Sequence, residues 1–135
     1  MEKELNAVLL SQIGNQYLTT AQLINDFAVQ HRKLNPLNEG AYQQLRSDAK
    51  DLLEIAAEMK VMSTLLVKEE TAGALEELKN IGKEMENSIS RFQNIQQLIL
   101  TITGLVSLGH AIIQKNPAQI GTKINEFLAI WKKSD

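Results

Sequence analysis

Leu98-Ile99-Leu100-Thr101-Ile102-Thr103-Gly104-Leu105-Val106-Ser107-Leu108-Gly109-His110-Ala111-Ile112-Ile113 is the most apolar run in the chain. Ten of its sixteen residues are Leu, Ile, Val or Ala, and they go nearly all the way round a helix. A helix of that kind is either buried on most sides or set in lipid. Arg91 and Lys115 bracket a charge-free window of 23 residues, the length a membrane-crossing helix needs. Gln93, Asn94, Gln96 and Gln97 interrupt its first third, however. The strictly apolar part spans about 24 Å, short of a hydrocarbon core of about 30 Å. His110 is a further cost inside it. The run therefore predicts a buried central helix first, an oligomer interface second and a membrane-inserting element third. Leu98, Ile99, Ile102, Leu105, Val106, Leu108, Ile112 and Ile113 are the residues through which an interface or a membrane contact would act. Gln93, Gln97, Gly104, Ser107, Ala111 and Gln114 trace a thin stripe of small or polar residues that a neighbouring helix can approach closely.

Upstream, the same helical stripe extends through Ala74, Leu78, Ile81, Met85, Ile89, Phe92 and Ile95. One helix from Ala72 to Gln114 would be roughly 64 Å long, so it overhangs its neighbours or bends, with Gly82, Asn87-Ser88 and Gly104 as candidate sites. Before it, Leu45, Ala49, Leu52, Ala56, Met59, Met62 and Leu66 predict a second helix over 41–68. Continuing that stripe would carry Glu70 and Glu77 onto the apolar face, so a turn is expected at Lys68–Gly73, with Thr71 as the next N-cap. A first helix is expected over 2–33, with Leu5, Val8, Leu9, Ile13, Tyr17, Ile24, Phe27 and Ala28 on its apolar face. Asn35-Pro36-Leu37-Asn38-Glu39-Gly40 ends it with turn chemistry. Downstream, Asn116-Pro117-Ala118-Gln119 places asparagine at N-cap, proline at N1 and glutamine at N3. Ile120, Ile124, Phe127, Leu128 and Trp131 form the apolar face of the short helix that follows. No sustained alternation signals a strand. The expectation is one all-α domain over 1–135: an antiparallel bundle of three long helices plus a short C-terminal helix.

Composition narrows the function classes. The chain has 135 residues and no cysteine, which removes disulfides, thiolate nucleophiles and sulfur-ligated metals. Its net charge of −2 argues against nucleic acid as a partner. Met1-Glu2-Lys3-Glu4 lacks the basic start of a secretory signal, so a cytoplasmic setting is expected, with non-classical export left open. Of the 30 charged residues, 20 lie between Arg32 and Arg91, and neither Leu5–Asn25 nor Phe92–Gln114 contains any. The polar residues of those two segments are mainly Asn, Gln, Ser and Thr. Their solvent faces are therefore expected to be small or covered.

The residues that can carry chemistry are few. His31 and His110 are the only imidazoles and stand in no metal-ligand spacing, so no metal is expected. His31, with Arg32 and Lys33, suits the negative end of a helix dipole. Ser107 and His110 lie three apart on one helix, but no acid in that segment could orient the histidine. Glu69-Glu70 and Glu76-Glu77 are two acidic doublets in a stretch that also holds Lys68, Lys79 and Lys83, and they read as a solvated face. Gly73, Gly82, Gly104 and Gly109 fit no phosphate-binding loop, and no cofactor is expected. Lys115, Lys123, Lys132 and Lys133 give the last 21 residues a balance of +2, which favours an acidic partner or an anionic surface only weakly. The chain is expected to be a non-enzymatic module that binds another protein or itself. The alternative is a soluble protein that inserts residues 98–113 into a membrane.

Overall fold

The computed structural model describes residues 2–34, 39–89 and 95–133, without the side chains of 31–34 and 133. The chain is mostly helical, as the composition predicts, and carries a small sheet in addition. The elements are β1 (Glu2–Asn6), α1 (Ala7–Leu34), α2 (Glu39–Lys60), β2 (Thr64–Lys68), α3 (Glu69–Ile89), α4 (Ile95–Ile113) and α5 (Pro117–Lys133). Three expectations are corrected by this order. The first five residues of the expected first helix form a strand, the expected second helix stops at Lys60, and the expected third helix is two helices.

β1 and β2 pair antiparallel, Glu2 opposite Lys68 and Leu5 opposite Leu65. Leu5, Leu65 and Val67 point into the core, whereas Leu66 is 51% exposed on the outer face. Alternation of this kind is the period-2 pattern of a half-buried ribbon. Asn6 sets the boundary with α1, because its side-chain Oδ1 accepts the Leu9 N–H at 3.0 Å. That N-cap bond satisfies a donor which a helix continuing back to Glu2 would have used otherwise. α2 ends in a tightened turn, with the Val61 and Met62 N–H groups donating to the carbonyls of Glu58 and Met59. Val61, Ser63 and Thr64 are poorer helix formers than the residues before them, and extended pairing suits the β-branched ones.

The turn expected at Lys68–Gly73 is therefore displaced to 61–63, and β2 runs directly into α3. Thr71 is not an N-cap; it lies inside α3 and is buried. Glu69 and Glu70 occupy the first turn of α3, where negative charge meets the helix dipole favourably. α3 ends at Ile89, just after Asn87-Ser88, while Gly82 and Gly104 sit inside unbroken helices. The joint at 35–38 and that at 90–94 lie outside the described residues, and α2 begins at Glu39, taking Gly40 into its first turn.

The α4–α5 joint is the one the sequence specified most closely. The Asn116 N–H donates to the Ala111 carbonyl and the Lys115 N–H to that of Ile112, a Schellman closure with Lys115 at φ 56°. Asn116 then starts α5: its Oδ1 accepts the Gln119 N–H at 3.2 Å and its carbonyl the Ile120 N–H at 2.9 Å.

Packing runs from α1 to α2, α2 to α4, α4 to α5, α5 to α3 and α3 back to α1, so the contacts close a ring. Gly14 of α1 lies against Ala56 and Met59 near the end of α2, whereas Ala21 and Asn25 face Arg46 and Ala49 nearer its start. Those two helices are antiparallel. Thr103 faces Asp48 and Gly109 faces Ile55, so α4 runs in the same direction as α2. Tyr17 occupies the middle of the ring, 1% exposed, and its hydroxyl donates to the Leu105 carbonyl at 2.7 Å. Burial pushes that phenol well above its usual pKa, so it stays a neutral donor.

Candidate binding groove

The eight apolar residues singled out on α4 belong to the interior. Leu98, Ile102, Leu105, Val106, Leu108 and Ile112 are buried, and Ile99 and Ile113 are partly buried against the same core. α4 turns its remaining face outward through Gln96, Leu100, Thr103 and His110. Within the small-residue stripe, Gly104 has ordinary contact with Phe127 and Ile130 of α5. The close approach is one turn further along. A Cβ on Gly109 would lie 2.7 Å from both Ile55 and Tyr17.

The other candidates separate. His110 is exposed and Ser107 half-buried, and among the described residues no hydrogen bond joins them. Glu69, Glu70, Glu76 and Glu77 are all exposed. Glu77 reaches Lys132 of α5 at 3.7 Å, a solvent-exposed ion pair of small energetic weight. No group of three metal-ligating side chains occurs among the described residues. The side chain of His31 lies outside them.

Two polar features were missed. Asp48 lies on the apolar stripe of α2, between Leu45 and Leu52, and is 4% exposed. Its carboxylate accepts from Gln44 Nε2 at 3.0 Å and from Thr103 Oγ1 at 3.3 Å, which ties α2 to α4. Burial raises its pKa; the Gln44 and Thr103 hydrogen bonds oppose the rise, and the Asp51 charge adds to it. The signal was available: positions 45, 48 and 52 share one helical face. Gln16 is the second. Its Nε2 donates to the carbonyls of Leu78 and Lys79 in α3, passing over Gly82 where a Cβ would stand.

On the outside of the α1–α2 pair lies a groove of about 590 Å³. Ala21, Ala49 and Leu53 give it an apolar floor, and Gln22, Asn25, Gln43 and Ser47 give it polar walls. Arg46 and Lys50 complete the lining, one helical turn apart on α2. Arg46 is held in place by Tyr42: Nη1 donates to the phenol oxygen at 2.7 Å, and the guanidinium lies 5.7 Å from the ring centroid. Neither cation has a carboxylate within ion-pair distance among the described residues. Leu53 is 44% exposed on this floor, a large apolar side chain only half covered. The volume falls within the range of binding clefts, which combine apolar lining with a few placed polar groups.

The chain matches no known protein family, no curated protein and no solved structure.

Proposed function

We propose that this chain is a single-domain helical bundle, without enzymatic activity, that works by binding another protein or a second copy of itself. The observation that carries this reading is the α1–α2 groove, where Leu53 is half exposed beside a guanidinium already fixed by Tyr42. Side chains ordered before binding lose less entropy when a partner arrives. The contact face thus moves from residues 98–113, which the core uses, to the outer side of α1 and α2. A photo-crosslinking residue at position 53, with a second version at exposed Glu84 as control, tests it. Protein adducts from position 53 and none from 84 are expected; equal yields, or none, would refute the reading.

A second reading has one observation behind it. α4 is long and apolar enough to cross a membrane by length and composition, although half of its best window is buried in the fold. Insertion would require α4 to leave α2 and α5, exposing the side chains that now fill the ring. Dye release from anionic liposomes at neutral pH would favour insertion, and intact liposomes would favour the protein-binding reading.

A further inference from the structure

We propose that the α1–α2 groove takes an acidic helical segment of a partner protein, its carboxylates seated on Arg46 and Lys50 and an apolar side chain on Leu53. This rests on the protein-binding reading and gives the partner a chemistry.

Arg46 commits one of its five N–H donors to the neutral Tyr42 hydroxyl, and a phenol does not cancel its charge. Lys50, one turn on, is exposed and lines the same cleft. Among the described residues two cations and no carboxylate line the groove. Asp48, the nearest acid along the chain, turns its carboxylate to Gln44 and to Thr103 of α4, and Asp26, Glu39, Asp51 and Glu54 are not among the walls. An acidic occupant is the complement of that pattern. Glu39 and Glu54 lie one turn beyond Gln43 and Lys50, so the complementary segment is acidic at its centre and neutral or basic at its ends. Gln43 to Leu53 spans about 15 Å along α2, room for two to three turns of a partner helix. A carboxylate pair at i, i+4 on that helix matches the Arg46–Lys50 spacing. The apolar floor favours an amphipathic helix laid lengthwise, with Leu53 as the anchor contact. Gln22 and Asn25 from α1 offer side-chain amides to the polar edge of such a helix.

The test is selection from an unbiased library of helical dodecapeptides displayed on phage, against the full chain. The expected outcome is enrichment of peptides with Asp or Glu four apart beside a large apolar residue. Arg46→Glu/Lys50→Glu should then weaken those peptides roughly tenfold or more, since two attractive charge contacts become repulsive ones. A Lys-for-Glu version of the same peptide should bind the doubly substituted protein and not the wild type. Because Arg46 also holds Tyr42, Lys50→Glu alone serves as the second variant, and circular dichroism confirms that each stays folded. Enriched peptides without acidic residues, or acidic ones that bind the charge-reversed protein unchanged, would overturn the assigned chemistry while leaving a protein-binding chain. No enrichment, together with no adducts from position 53, would overturn both.

Discussion

Gly109→Ala and Gly73→Ala are the same chemical change on two helices, and they should move stability in opposite directions. Each adds one methyl group and removes the backbone entropy penalty of a helical glycine, a gain of about 1 kcal/mol. At Gly73 nothing lies within 4 Å of the new Cβ, so that gain should appear nearly whole. At Gly109 the Cβ would stand 2.7 Å from Ile55 Cγ2, 2.7 Å from Tyr17 Cε2 and 2.9 Å from Ile55 Cδ1. None of these is the loose end of a surface side chain. Ile55 and Tyr17 are each 1% exposed, and Tyr17 is further held by its bond to the Leu105 carbonyl. Overpacking of such a site costs about 1–3 kcal/mol, which offsets or exceeds the propensity gain. The pair should therefore differ by about 1–3 kcal/mol in urea unfolding followed by circular dichroism, with the slope of the transition unchanged. If Gly109→Ala stabilises as much as Gly73→Ala, then α4 does not pass against Tyr17 and Ile55, and the ring of contacts is wrong.

Other substitutions probe the remaining joints and the interior. Asp48→Asn keeps the acceptor for Gln44 and removes a buried charge, so it should raise stability at pH 7 by on the order of 1 kcal/mol in thermal melts. Because burial raises the folded-state pKa of Asp48, its favourable contribution is complete below the unfolded value near 3.9 and is lost as pH rises through the folded one. The Asn variant should lack that part of the pH dependence, and a variant less stable than wild type at pH 7 would contradict it. Lys115→Gly relieves a left-handed residue at φ 56° and should gain roughly 1 kcal/mol, measured by chemical unfolding. Ile102→Asp places a carboxylate at a site 1% exposed and should cost on the order of 4 kcal/mol, seen as loss of the cooperative transition. A stable Ile102→Asp protein that loses a dye release shown by the wild type would instead favour the membrane reading.

The sequence was most legible where a residue had a single local task. Asn116-Pro117-Ala118-Gln119 states a helix start, and the capping bonds from Gln119 and Ile120 to Asn116 are the ones that spacing requires. The strands were hidden because five residues are too few for a period to declare itself. Leu66 lay in phase with the α2 stripe, although it is Leu65 and Val67 that point inward. Asn6 and the run Thr64-Leu65-Leu66-Val67 were the readable signs, a cap and a β-favouring segment. The division between α3 and α4 was marked only by Asn87-Ser88, one of three candidate bends, since the apolar residues Ile89, Phe92, Ile95 and Ile99 stay in helical phase across it. The groove escaped for a different reason. It is lined from both α1 and α2, and no single helix carries it.

Leu53 offers the most direct test of binding through the outer face of α1 and α2. It is 44% exposed, so Leu53→Asp should cost only about 1 kcal/mol of folding stability while placing a charge on the groove floor. The measurement is the native size of the protein in extracts of its own cells, wild type against Leu53→Asp. The wild type should elute in a complex well above its 15.1 kDa monomer mass, and the variant should fall back to the monomer position. Both proteins eluting as monomers, or both in the same complex, would contradict the assignment of this groove as the contact face.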